Sequence, residues 1–341
     1  MNKRSLAQLG EFGLIDHLTS DFESKNKSTI YGIGDDAAVL DYEGKKMVVT
    51  TDLLMEGIHF DLMYTPMKHL GYKAVAVNLS DVYSMMAIPK QITVSIALSK
   101  KFSVELLEEL YSGIRLACQR YGVDLIGGDT SSSLTGLCLS ITAIGELISE
   151  PVYRKGVKEN DLVCVSGDLG AAFAGLQVLE REKLVFQTNP NNQPDLTKYE
   201  YVVERFLKPE PRRDVIDILN KTGIVPTSMI DISDGLSSEI LHICRQSQAG
   251  VRLYEEKLCF HEQTLEVAAE LNLDPALFAL NGGEDYELLF TVPLAYAQKI
   301  SNIPLVSIIG HITKENTGRF FVTKSGQETE LQAQGWNALK K

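Results

Sequence analysis

The sequence predicts an α/β protein made of two units. Its 341 residues exceed one ordinary domain and suit two. With 44% apolar and 23% charged residues, it can bury a sizeable core. Strand-like and helix-like patterns alternate as far as Leu147 and then resume after Tyr153, which divides the chain into residues 1–148 and 149–341.

The elements follow in order. An amphipathic helix is expected from Leu6 to about Leu18. "AVLDYEGKKMVVTTD" reads as a hairpin turning at Glu43-Gly44-Lys45. "HLGYKAVAVNLSDVYSMMA" carries Val75, Leu79 and Val82 at helical spacing, and "ITVSIAL" after Pro89 reads as a buried strand. "SVELLEELYSGIRLACQRYG" is an amphipathic helix with Ser103 as N-cap and Gly122 as stop. "VDLIGGDTSSS" reads as a strand entering a polar loop, and "LCLSITAIGEL" as a further strand. In the second unit "DLVCVSGDLG" is strand then glycine loop, and "AAFAGLQVLER" is helix. The polar stretch 182–195 is a linker without an assigned role, and helices are expected around Val202 and Val215. "TSMIDISDGLSSEILHICRQ" is strand, acidic loop and helix, and "ALNGGEDYELLFTV" is loop then strand. "LVSIIGHI" and "GRFFVTKSG" are late strands. The halves echo each other in "NLSDV" with "DISDG" and "GGD" with "GGED", which fits related units or coincidence.

Several function classes are excluded at this level. A formal net charge of -12 argues against nucleic acid as a partner and implies that any phosphate ligand meets metal cations. No apolar run approaches the roughly 18 residues of a membrane span, and the N-terminus lacks a signal-peptide core. Cys118, Cys138, Cys164, Cys244 and Cys259 form no C-x-x-C pair and have apolar neighbours. They read as buried, reduced thiols of a cytoplasmic protein.

"GIGDDA" (Gly32 to Ala37), with Asp52 downstream, fits the dinucleotide fingerprint in letters but not in context. A strand-like segment follows where a helix should open, and Asp35 and Asp36 sit where a pyrophosphate should rest. The acidic turns make sense as a set: Asp35-Asp36, Asp52, Asp81, Asp129, Asp231, Asp234 and Glu284-Asp285. Singly, each reads as an N-cap or turn residue. Converging, they would repel unless Mg²⁺ intervened, and oxygen ligands beside the Thr50 and Thr51 hydroxyls favour Mg²⁺ over zinc. Carboxylate-held Mg²⁺ usually serves phosphates. No P-loop or protein-kinase motif occurs. "GDLG", with Gly167 and Gly170, is either a phosphate-binding amide loop or a tight strand–helix turn. Arg154 and Lys155 could each reach a phosphate or be solvated surface charges.

These residues carry a resemblance. "GIGDDAAVL", "TTDLLMEGIHF", "YKAVAVNLSDVYSM", "LIGGDTSSS", "MIDISDGLSSEI" and "NGGEDYELLFTV" stand in the order and spacing of the thiamine-monophosphate kinases, of the aminoimidazole-ribonucleotide synthetase superfamily. The match runs from about Gly10 to Gly310. The resemblance implies a two-domain aminoimidazole-ribonucleotide synthetase-like fold, with mixed sheets covered by helices. It further implies transfer of the ATP γ-phosphoryl group to thiamine monophosphate by a Mg²⁺-dependent homodimer without a phosphoenzyme. Carried over, the metal ligands are Asp36, Thr50, Thr51, Asp52, Asp81, Asp129, Asp231 and Asp234. ATP contacts are Tyr111, Gly128, Asp129, Arg154 and Ser233, and substrate contacts are His59, Glu284 and Trp336. No general base is implied, because a phosphate acceptor is already nucleophilic at neutral pH. A carboxylate and an aromatic face suit the cationic thiazolium.

Two departures stand out: Met86 replaces a family glycine in "MMAIP", and the C-terminus reads "GWNAL". The alternatives are another ATP-using enzyme of the superfamily, a Mg²⁺-dependent phosphohydrolase, and a non-catalytic nucleotide-binding module. The selenophosphate type, which needs an N-terminal cysteine, and the maturation type, which needs a C-terminal one, are disfavoured by where the cysteines fall.

Overall fold

The structure is a computed structural model that describes residues 27–32, 34–191 and 193–334. The helix expected over Leu6 to Leu18 lies outside these residues. The strands fall into two mixed sheets. The first contains β1 (Thr29–Tyr31), β2 (Ala38–Tyr42), β3 (Lys45–Met55), β4 (Ala87–Leu98), β5 (Asp124–Ser132) and β6 (Cys138–Leu147). Its spatial order is β1-β2-β3-β6-β4-β5. The second contains β7 (Leu162–Ser166), β8 (Ser228–Asp231), β9 (Ala249–Tyr254), β10 (Leu288–Val292), β11 (Val306–Lys314), β12 (Arg319–Val322) and β13 (Glu328–Glu330). Its order is β13-β12-β9-β11-β7-β10-β8.

The hairpin between β2 and β3 forms as the sequence predicts. Tyr42 pairs with Lys45, and Glu43 and Gly44 both take positive φ (57° and 85°), which suits the right-handed twist of the strands. Helix α1 (Met67–Ser84) follows. It is buried nearly all round, because it packs on the inner face of the first sheet and reaches β8 of the second. Helix α2 (Val104–Tyr121) is amphipathic: Ser103 caps its N-terminus by accepting from the Leu106 N–H, and Gly122 ends it in the left-handed conformation. The two helices touch backbone to backbone. A Cβ on Gly71 would lie 2.0 Å from the Leu110 carbonyl oxygen, and one on Gly113 1.9 Å from that of Lys68. α2 connects β4 to the parallel β5, and the neighbouring strand pairs of this sheet are antiparallel.

β6 alternates buried and half-buried residues, so one face of the first sheet is covered and the other is not. β7, β8 and β10 are buried on both faces. Cys164 joins the core shared with α1 and the first sheet, whereas Val163 and Val165 point into a second core. The remaining helices are α3 (Ala171–Thr188), α4 (Glu200–Leu207), α5 (Arg213–Thr222), α6 (Leu236–Ser247), α7 (Glu262–Glu270), α8 (Pro275–Asn281) and α9 (Ala297–Ser301). α5 lies against the shared core and α6 against the second.

Some expectations change. "GGDTSS" is not a loop but the body of β5, held in register by β4. "NLSD" lies inside α1 whereas "DISDG" runs off the end of β8, so this echo between the halves is one of letters and not of structure. Asp81 accordingly projects from a helix, not from a turn. α3 extends to Thr188, so the first part of the expected linker is helical. Met86 sits at φ +58°, in the conformation that favours glycine, with its side chain buried. The five cysteines are unpaired; Cys164 and Cys244 are buried and the other three half-buried. Among the described residues no helix is long and apolar enough to cross a membrane.

Candidate active site

A cavity of about 630 Å³ opens between the two sheets, with α1 along one wall. Carboxylates crowd one pole. Asp36, just before β2, is buried; Ser84 Oγ donates to its Oδ2 at 3.0 Å and Arg154 Nε donates to its Oδ1 at 3.0 Å. Asp35 serves the backbone instead, accepting the Arg154 N–H at 3.0 Å and the Asp36 N–H at 3.0 Å. Asp81 accepts from Thr50 Oγ1 at 2.7 Å, which ties α1 to β3. The Asp52 N–H donates to Asn78 Oδ1 at 3.0 Å and repeats the tie. Asp231 ends β8. One oxygen from each of Asp36, Asp81 and Asp231 lies within 4.8 Å of the others.

Burial and mutual repulsion raise Asp81, Asp231 and Asp52. Burial, then Asp52, Asp231 and Asp36, hold the Asp81 carboxyl well above the usual range. Burial and Asp36 push Asp231 up to about 8 and Asp52 up to about 6. Such a cluster is unstable as anions and is relieved by a hard divalent cation. The all-oxygen donor set fits Mg²⁺, with Asp36, Asp81 and Asp231 as the residues able to hold it. Asp52 and Thr50 stand beside them.

The other pole is aromatic and charged. His59 Nδ1 accepts the Met55 N–H at 3.0 Å; burial lowers its affinity for a proton, and nearby Glu284 partly restores it. Glu284 has φ +58° and pairs with Lys73 at 2.8 Å. Tyr64, Phe173 and Phe206 supply aromatic walls, and Tyr286, near Glu284 but also Asp52, Asp231 and Asp81, lies between the two poles. The other acids of "GGEDYEL" are structural. Asp285 accepts the Gly170 N–H at 2.7 Å and the Ala172 N–H at 3.3 Å, so the free N–H groups at the N-terminus of α3 are already taken by a carboxyl group. "GDLG" is therefore a capped turn, not a phosphate loop. Glu287 pairs with Arg205 at 2.9 Å and with Arg212.

Ser233 and Asp234 follow β8 at the cavity, where the Asp234 N–H donates to buried Glu239 Oε1 at 2.9 Å. Arg154 lines the cavity, while Lys155 is exposed over the Tyr31 and Tyr153 rings. Thr51 reaches the rim, but strand alternation turns its hydroxyl to the other face of β3, where Thr142 Oγ1 donates to it at 3.1 Å. Tyr111, Gly128 and Asp129 lie elsewhere. Tyr111 is half exposed on α2, and Gly128 and Asp129 are exposed on the edge strand β5. The row Asp52–Ile141–Val94–Gly128 places Gly128 three strands away from Asp52, roughly 14 Å at ordinary strand spacing. Trp336 lies outside the described residues. Sequence reasoning missed Lys73, Asn78, Ser84, Phe206 and Glu239. The available signal was a polar stripe at positions 73, 78, 81 and 84 of an otherwise apolar helix.

Comparison with known proteins agrees with this geometry. The family model described as AIR synthase related protein, N-terminal domain, matches residues 34–147. The chain is 36% identical over 289 residues to the thiamine-monophosphate kinase of Aquifex aeolicus (strain VF5), across 84% of this chain and 87% of that protein. It is 32% identical over 341 residues to that of Bacillus subtilis (strain 168), across 97% of this chain and 100% of that protein. A solved structure of AaThiL complexed with AMPPCP and TMP matches with a TM-score of 0.85 at 31% identity, across 99% of this chain and 100% of that one.

Proposed function

Because the chain belongs to the thiamine-monophosphate kinase family, we propose that it transfers the γ-phosphoryl group of ATP to the phosphate of thiamine monophosphate, releasing thiamine diphosphate and ADP. The observation that carries this reading is the two-poled cavity. Carboxylates that could hold metal and face a polyphosphate occupy one end, and an acid among aromatic walls, suited to an organic cation, occupies the other.

Bound Mg²⁺ would neutralise phosphate charge and align donor with acceptor. The chain's own residues do the rest. Asp36, Asp81 and Asp231 form the metal seat, with Asp52, Thr50 and Asp234 beside it. Ser84, Thr50 and Asn78 fix the seat's geometry through α1 and β3. Arg154, already bonded to Asp36, would bind ATP phosphate together with Ser233, since both line the cavity. His59 and Glu284 bind the thiamine end. No side chain needs to remove a proton from the acceptor.

The site also calls for a second copy. Gly128 and Asp129 lie three strands from Asp52, and with Tyr111 they sit on or near an exposed face outside the cavity, which supports their contribution from a partner. Leu53 and Met55 on β3 and Leu125 and Ile126 on β5 are exposed apolar residues of the same sheet. We read this surface as the homodimer interface, across which the partner supplies these ATP and metal contacts and meets the outward-facing Thr51. Residues 1–148 then form the ATP-, metal- and dimer-forming unit and 149–341 the second unit, in a cytoplasmic enzyme. The test is incubation with ATP, Mg²⁺ and thiamine monophosphate, with products separated by chromatography. Thiamine diphosphate is expected to accumulate in step with ADP. Free phosphate without thiamine diphosphate would replace the kinase reading with a phosphohydrolase.

A further inference from the structure

Lys73 is 2% exposed, and a buried ammonium is costly unless its donors are met. Its Nζ donates to Glu284 Oε2 at 2.8 Å and to the Phe206 carbonyl at 3.0 Å, and stands 4.2 Å from the centre of the Phe206 ring. These three residues come from α1, α4 and the loop before β10. The loop is conformationally costly: Glu284 and Tyr286, neither of them glycine, have φ of +58° and +50°. Lys73 holds one carboxylate oxygen of Glu284, whose side chain stays 27% exposed at the cavity wall. Lys73, Val77 and Asp81 recur every four residues on one face of α1, and Val77 and Asp81 line the cavity. Eight residues of helix span about 12 Å, so one rigid element joins the anchor of Glu284 to the carboxylate pole.

We propose that Lys73 is a positioning residue for the phosphate acceptor. It fixes Glu284 so that the carboxylate's exposed edge meets the cationic ring of thiamine monophosphate at a set distance from the metal-binding carboxylates. Lys73 does not itself touch the substrate. This inference rests on the kinase reading above.

The experiment compares wild type, Lys73→Met, Glu284→Gln and the double variant by steady-state kinetics, with direct titration of thiamine monophosphate alongside. Lys73→Met should raise KM for thiamine monophosphate about 10-fold, leaving KM for ATP unchanged and kcat within about 3-fold. In the Glu284→Gln background the same substitution should change KM by less than about 2-fold, because the two residues act as one unit. An unchanged or lowered KM in Lys73→Met, or equal effects in both backgrounds, overturns the proposal. Should Lys73→Met fail to fold, Lys73→Arg, which keeps the charge with altered reach, must raise KM for thiamine monophosphate but not for ATP. A wild type that binds thiamine monophosphate but makes no thiamine diphosphate would refute the kinase reading, while the titrations still decide the role of Lys73.

Discussion

Asp81 takes a hydrogen bond from Thr50 and faces Asp36, Asp52 and Asp231. Its charge is a liability for folding and an asset for holding a cation. Asp81→Asn should therefore abolish turnover, by at least about 1,000-fold, while leaving the metal-free melting temperature equal or higher. Full activity in that variant would remove Asp81 from the metal seat. The same crowding fixes a pH dependence. Carboxylates raised in the folded state, such as Asp231 at about 8 and Asp52 at about 6, favour folding while protonated, and that contribution is lost as pH rises through those values. In chelator, Tm should fall between pH 6 and 8; with Mg²⁺ the fall should be smaller, because cation replaces proton. Thermal scans across that range in both conditions check it. At this scale the sequence was most informative about the acids, since Asp36 stands in a conspicuous turn and Asp231 at a strand end; Asp52, read as an acidic turn, lies inside β3 instead. Lys73 and Asn78 were hidden because a polar residue inside an apolar helix looks alike whether it serves a site or merely a core.

Elements were legible where local chemistry and tertiary demand agree. Ser103 and Gly122 bound α2 as their types predict, and Glu43-Gly44 turns the first hairpin. β5 was only half legible, because Gly-Gly-Asp-Thr has poor strand propensity and is extended by its pairing with β4. The turn after α1 sets two effects against each other. Met86 at φ +58° costs about 1 kcal/mol that glycine would not, but its buried side chain contributes about 2–5 kcal/mol. Burial wins, so Met86→Gly should destabilise the protein by about 1–4 kcal/mol in urea unfolding despite the relieved backbone.

For the whole molecule, the length and the two rounds of alternation indicated two α/β units, and two sheets are present. What the sequence hid was how α1 and a common core join them, since Cys164, Val215 and Phe290 share a cluster with residues of the first sheet. The aromatic pole was legible only at His59 and Glu284, through the resemblance; Tyr64, Lys73 and Phe206 meet them only through the tertiary fold. The proposed dimer gives a prediction at this scale. Ile126→Lys, on the exposed edge strand, should convert the protein to monomer by light scattering and lose most activity, although Ile126 lies three strands from the seat. A fully active monomer would show that one chain suffices.

The burial of α1 has a consequence for how the molecule fails. Segments surrounded by packed core open only when the whole structure opens. Both poles of the cavity are anchored to such a segment, at Lys73 and at Asp81. Heating therefore should not detach Lys73 or Asp81 from the site before the core around α1 opens. The edge strand β13, exposed throughout, is where opening should begin.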